Sequence, residues 1–214
     1  YVEALDGGDS KKEVEFRDAL YTLEYPFNAE PKLITKTKDR FGGVTWGNDE
    51  YALVNSQWYD TRNVKTFLVN PSTGVSQVIS DRNSQDVYGD PGDVYRDRNS
   101  FGTYPMYIDK GKILLVGKGF TKEGEYPFID ELNLTSLKKK RIYTAKSSEL
   151  QERIAQITNP KTGDILISLQ SASVFPNYYS KNIKTGKQKA LTNLQNPFES
   201  LEKVTSTELE NKIS

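Results

Sequence analysis

Apolar and polar positions alternate along most of this chain in short runs broken by Gly, Pro, Asn or Asp, the pattern of half-buried strands rather than of helices. GGVTW, YALVNSQWY, KTFLVNP and VSQVIS follow one another first. TYPMYI, KILLVGKGF, YPFIDELNL and KKRIYTA form a second set, and RIAQITN, DILISLQS, NYYSKNIK and KQKALTN a third. A partial set, YVEAL, EVEFRDALYTLEY and PKLITKT, precedes them. Each full set reads as roughly four strands, and its last hairpin carries a turn: NPSTG, NLTSLK or IKTGK. The later two turns lie about 50 residues apart, a spacing that suits propeller blades with long loops. The earlier step is longer because residues 80–102, SDRNSQDVYGDPGDVYRDRNSFG, read as an insertion between blades.

The expected fold class is therefore all-β, a β-propeller segment of four-stranded antiparallel blades. The repeated hairpin is the outer edge of each blade, where Gly or Asn accepts a positive φ. An antiparallel sandwich, with strands about every 8 to 12 residues, is the competing architecture at this point. One stretch suits a helix, SSELQERIAQI (residues 147–157), with Ser147 as cap and Glu149 in the first turn, although its second half reads as strand.

Composition narrows the chemistry. At 214 residues the chain has room for one large β domain or two small ones. Thirteen Tyr and a mean hydropathy of -0.67 fit sheets with aromatic, half-wet faces. Lys plus Arg and Asp plus Glu are both 29, so no overall field favours nucleic acid or an anionic membrane. No apolar run approaches the roughly 18 residues of a membrane span. With no Cys there is no disulfide, thiolate metal site or Cys nucleophile. With no His, no Ser-His-Asp triad exists within these residues, because nothing can take and return the nucleophile's proton near neutral pH. Met106 is the sole Met, so a piece of a longer chain is expected.

Several clusters invite a chemical reading. Asp86, Asp90 and Asp93 alternate loosely like a calcium loop, but the DxDxDG order and the distal Glu are missing. Trp46 with Asp49 and Glu50 has the parts of a sugar cleft, against an ordinary Trp beside a hairpin turn. FPNYYS (residues 175–180) suits rings packed between blades better than a peptide platform. Asn133 and Thr135 match a glycosylation acceptor, a triplet common by chance. No metal or cofactor is expected.

At YDTRNVKTFLVNPSTG, SDRNSQDVYGDPG and NPFESLEKV, with YVEALDGGD and FPNYYSKNIKTGK, the chain resembles the propeller region of the prolyl oligopeptidase family, in its glutamyl endopeptidase-like branch. The resemblance implies a serine peptidase in which a propeller precedes an α/β-hydrolase domain. It divides this chain into a propeller segment over residues 1–193, of about three to four blades, and a connector over residues 194–214 towards that hydrolase domain. The nucleophile elbow Gly-x-Ser-x-Gly is then expected beyond Ser214. Full propellers hold about 4 to 8 blades, which leaves room for an arc here instead of a closed ring, with end blades available for self-association.

The same resemblance implies a non-catalytic role: gating and selecting peptide substrates for the hydrolase domain of the same parent chain. Arg62, Arg82 and Arg98 become candidates to meet acidic peptide side chains, as planar, charged donors on or near a long loop. Against this, Asp-Arg-Asn strings commonly make internal turn bonds and weak surface pairs, and Asp60 is a local partner for Arg62. Export, to a bacterial periplasm or medium, is implied by the resemblance alone. The alternatives are a stand-alone propeller that binds protein or glycan, and a propeller glycosidase.

Overall fold

A computed structural model of the chain describes residues 1–146 and 149–197. Among them no helix forms; the chain is built of short antiparallel strands. Residues β1 (Val2–Ala4), β2 (Asp18–Thr22) and β3 (Lys32–Thr37) make a three-stranded sheet in the order β1-β2-β3. The next four, β4 (Arg40–Trp46), β5 (Ala52–Trp58), β6 (Asn63–Val69) and β7 (Ser76–Asn83), make a meander in chain order. A second four-stranded sheet runs β8 (Asp93–Val94), β9 (Lys112–Gly117), β12 (Phe128–Asn133) and β13 (Lys139–Thr144), and a small hairpin of β10 (Phe120–Thr121) and β11 (Gly124–Glu125) interrupts it. The last is the meander β14 (Gln151–Asn159), β15 (Asp164–Gln170), β16 (Asn177–Asn182) and β17 (Gln188–Ala190). Each four-stranded meander has the form of a propeller blade, and among the described residues no closed ring is found.

The segmentation read from the pattern holds for the first and third sets and differs in the second. TYPMYI supplies no strand of that sheet: Met106 makes only an isolated bridge with Arg96, and its amide donates to the Trp46 carbonyl at 2.7 Å. The first strand is Asp93–Val94, inside the stretch read as an insertion, whose first four residues also extend β7. Most of the stretch read as a helix is β14, which pairs with β15 along its length; Ser147 lies outside the described residues, as does the connector from residue 198 onward.

The recurring turn has one construction. Asn70, Asn133, Asn159 and Asn182 each offer the side-chain oxygen to the amides two and three residues on, at 2.8 to 3.2 Å. Their carbonyls accept from the amide four residues on, where Gly74, Leu137, Gly163 and Gly186 have φ of 75°, 53°, 83° and 73°. Only Leu137 departs from Gly. It bears the left-handed backbone together with a side chain packed on the core.

Two compact units divide the chain: Tyr1–Gly117 with Asp130–Lys140, and Lys118–Ile129 with Arg141–Ser214. In the first unit, neighbouring residues of one strand serve two cores. Leu53 and Leu68 pack with Met106, Ile113, Leu115, Leu132 and Leu134, whereas Val54 and Val69 pack with Leu20 and Ile34. Sheet β4–β7 is thus covered on both faces, which explains the unbroken apolar runs ALV and FLV where strict alternation would mark a half-exposed sheet. In the second unit Ile165 and Ile167 are fully buried along β15.

Asn70→Ala removes the acceptor for the amides of Ser72 and Thr73 in an exposed turn. It is expected to lower unfolding stability by about 1 kcal/mol, with unchanged denaturant slope, in urea titration.

Candidate functional site

The β5–β6 turn and the start of the β7–β8 loop meet at one end of sheet β4–β7. Strand pairing sets this: Trp58 opposes Asn63, and Asn63 opposes Asn83. Arg62 sits at the corner with φ 57°, its amide bonded to the Tyr59 carbonyl at 3.2 Å. Its guanidinium lies 4.2 Å over the Tyr59 ring and has no ion pair among the described residues. The Arg62 carbonyl accepts from Ser84 at 2.7 Å, and the Thr61 carbonyl from Asn83, so the two loops form one surface. A cleft of about 400 Å³ opens there, lined by Trp58, Tyr59, Asp60, Arg62, Asn63 and Arg40 among others.

Arg82 is at this end also, but turned to the loop. It donates to the carbonyls of Asn83 and Asp86 at 3.2 and 3.1 Å and pairs with Asp90 at 3.1 Å. Asp86 and Asp90 in turn accept from the amides of Gly89 and Gly92. Two of the three acids that suggested a calcium loop, Asp86 and Asp90, therefore cap their own turns and help to hold Arg82, while Asp93 begins β8. Gly92 has φ 84°, and a β-carbon there would stand 2.6 Å from the Val116 carbonyl, so the loop passes β9 too closely for any other residue.

Arg98 lies elsewhere. Residues 95–107 fold as a hairpin, through Tyr95 with Tyr107, Arg96 with Met106, Asp97 with Pro105 and Asn99 with Thr103, whose base meets Trp46 at the far end of β4. Arg98 is near the tip, where its guanidinium lies beside Gly102. A larger cleft, about 700 Å³, lies between sheets β4–β7 and β8-β9-β12-β13, with Leu53, Leu115 and Leu132 in its floor and Arg82, Arg96 and Lys139 among its polar residues.

Behind Arg62 is a buried charge network that the sequence did not reveal. The Asp6 carboxylate, its side chain fully buried, takes both nitrogens of Arg40 at 2.9 and 2.6 Å, Arg17 at 2.9 Å and the Gly8 amide at 2.9 Å. Arg40 also donates to Asp18 at 3.1 Å, and Asp18 accepts from the Phe41 amide. Arg17 lies 4.1 Å over Trp58. Burial opposes the Asp6 charge and is the largest single influence, but the Arg40, Gly8 and Arg17 donors outweigh it and hold the carboxyl at about 2. The charged partners of Asp6 are 11 and 34 residues away in sequence, so no local motif announces them.

In the second unit Glu152 accepts from the Tyr143 hydroxyl and from Lys181 at 2.7 Å; burial and then this bond push the Tyr143 phenol upward. The remaining candidates are turn and surface residues. Asn48 holds the turn bearing Glu50 and Tyr51, while Ser72 donates to the Asp49 carbonyl; Trp46 is 41% exposed. Asn133 is the organiser of its hairpin, and in FPNYYS Tyr178 is exposed while Tyr179 is half-buried. Among the described residues no cluster of acids could hold a metal ion, and no helix is long and apolar enough to cross a membrane.

No family model matches the chain. A probable chloroplastic glutamyl endopeptidase of Oryza sativa subsp. japonica is 34% identical over 94% of this chain, and one of Arabidopsis thaliana is equally similar. The resemblance to glutamyl endopeptidases therefore stands. The chain spans 23% of the length of these relatives. Among solved structures, TolB from Acinetobacter baumannii overlaps 84% of this chain and 38% of its own at TM-score 0.42 and 17% identity. An oligogalacturonate lyase in complex with manganese overlaps 78% of this chain and 46% of its own at 0.45 and 14%. Those overlaps are too loose to argue from; the blade form rests on the sheets themselves.

Asp6 titrates lower in the fold than its ordinary 3.8, so its contribution to stability is complete above about pH 4 and is lost as pH falls towards 2. Asp6→Asn is expected to lower the melting temperature at pH 6, and the gap to the parent chain should close progressively between pH 4 and pH 2 in thermal melts.

Proposed function

We propose that this chain is the non-catalytic propeller part of a serine peptidase of the prolyl oligopeptidase family, and that its loops select acidic peptides for an α/β-hydrolase domain on the same polypeptide. The observation that carries the reading is the 34% identity over 94% of the chain to glutamyl endopeptidases about four times as long. The lack of any His fits it, since these 214 residues hold no general base of the triad kind.

Within that reading the three arginines take different parts. Arg62, stacked on Tyr59 with its donors unclaimed by a carboxylate, is the arm that meets an acidic side chain. Arg82 positions the loop beside it and does not touch substrate. Arg98, near the tip of the 95–107 hairpin, takes no part in this contact. Residues 194–214 serve as the connector, and export from a bacterial cell belongs to the same reading on the strength of the resemblance alone.

The test is made on the natural full-length polypeptide with paired peptides that differ only by Glu or Gln. The 214-residue chain alone should cleave neither. Arg62→Ala should lower kcat/KM for the Glu peptide about tenfold and leave the Gln peptide nearly unchanged, the loss expected for one charge-assisted contact of roughly 1.5 kcal/mol. Equal kcat/KM losses on both peptides, or none, would remove Arg62 from substrate choice. Cleavage by the isolated chain would overturn the reading as a whole.

A further inference from the structure

The cleft of about 700 Å³ between sheets β4–β7 and β8-β9-β12-β13 lies wholly within the first compact unit, and Arg62 does not line it. Facing sheets ordinarily fill the space between them with interdigitated side chains. One step of the pairing does so here: Leu53 opposes Leu68, and both join the core with Leu115 and Leu132. The next step on the same face is Asn55 opposite Thr66 and Thr66 opposite Ser80, and these shorter polar side chains leave the room. Thr66 donates to the Asn55 side-chain oxygen at 2.8 Å. The Asn55 side-chain nitrogen and the Ser80 hydroxyl have no partner among the described residues, so a row of hydrogen-bonding groups crosses three strands and stays open.

The charged residues that line the cleft have unequal commitments. Arg82 and Asp90 pair with each other at 3.1 Å. Asp93 alternates with Val94, which packs on the core, and is therefore directed to the other side of β8. Arg96 lies two residues beyond Val94 in the same extended run, which its bridge to Met106 continues, so alternation returns it to the cleft side. Its guanidinium has no ion pair or hydrogen bond among the described residues. Lys139 stands 3.8 Å from Asp130, longer than a hydrogen bond, and Asp130 shares with Leu132 the face of β12 that meets the cleft. The charged groups left with open hydrogen-bonding capacity are thus two cations. No Phe, Tyr or Trp lines the cleft, so a flat ligand finds no ring to stack on.

We propose that this cleft binds a small organic anion with an aliphatic body, about the size of an acidic dipeptide. Arg96 takes the acidic group, with Lys139 as the second cation of the lining. The Asn55, Thr66 and Ser80 row meets the hydrogen-bonding atoms of the body, and Leu53, Leu115 and Leu132 meet its apolar side. The volume lies in the range of pockets that enclose molecules of this kind. This inference rests on the cleft and does not depend on the peptidase reading.

Isothermal titration calorimetry on the natural full-length polypeptide tests it. The probes are N-acetyl-Leu-Glu, N-acetyl-Leu-phosphoserine, the neutral N-acetyl-Leu-Gln amide and inorganic phosphate. At least one acidic peptide should bind at millimolar concentration, the tighter of the two naming carboxylate or phosphate as the acid, and the neutral amide should not. Arg96→Ala should weaken that binding about tenfold and Lys139→Gln to a smaller degree, while Arg62→Ala leaves it unchanged. Arg96 is exposed and bonds nothing through its side chain within the described residues, so Arg96→Ala should leave the melting temperature as it was, and lost binding is then not lost fold. Binding of neither acidic peptide, equal binding of the neutral amide, or indifference to Arg96→Ala overturns the proposal. Inorganic phosphate binding as tightly as the peptides would remove the aliphatic body from it.

Discussion

Burial of single strands from both faces is the constraint on which the first unit depends. Leu53 and Val54 are adjacent, point to opposite sides of one sheet, and are each nearly inaccessible because a further sheet lies on either side. A lone four-stranded meander would bury one face only and be marginal. Stacking lets short strands share two cores, and each sheet's stability is then partly its neighbours'. The Asp6, Arg17, Arg40 and Asp18 network joins the same two sheets that Val54, Val69, Leu20 and Ile34 join, at the strand ends where apolar contact gives out. Removing one partner there would strand a buried charge, so the network fixes how the sheets register more than it adds net stability.

Much of this was legible because it is local. Asn at the start of a tight turn and Gly four residues on is a backbone requirement written within five residues, and the hairpins at Asn70, Asn133 and Asn182 fall where the pattern put them. Strands β5, β6, β15 and β16 were likewise visible as runs bounded by turn residues. TYPMYI had strand composition, yet its Met106 was recruited as a core residue on a connecting hairpin, and two residues of unremarkable composition, Asp93 and Val94, took the strand position. Tertiary pairing, not propensity, decided between them.

The charged residues were the least legible. Arg62, Arg82 and Arg98 looked equivalent in sequence, because each sits among Asp, Asn and Gly. The fold separates them through partners that only pairing brings near: Asp90 and two carbonyls for Arg82, the Tyr59 ring for Arg62, and a hairpin tip for Arg98. Arg40 and Asp6 gave no signal, since their bond spans 34 residues. Lys139, in the run Lys138, Lys139, Lys140, Arg141, is indistinguishable from a solvated edge until its sheet is in place beside the larger cleft.

In an antiparallel meander the second connection and the exit to the next sheet share one end, so the β5–β6 turn and the β7–β8 loop are neighbours by topology. Arg82 then uses its charge to fix the longer loop against β7, and Asp86 and Asp90 complete that frame, which leaves Arg62 on a turn with little freedom and a ring beneath it. A guanidinium held by stacking keeps its in-plane donors pointing outward, the geometry that a carboxylate meets in two parallel bonds. The freedom lost on binding is small because the frame is already made by internal pairs, so the acids that make this stretch look self-satisfied are what render one arginine beside it available.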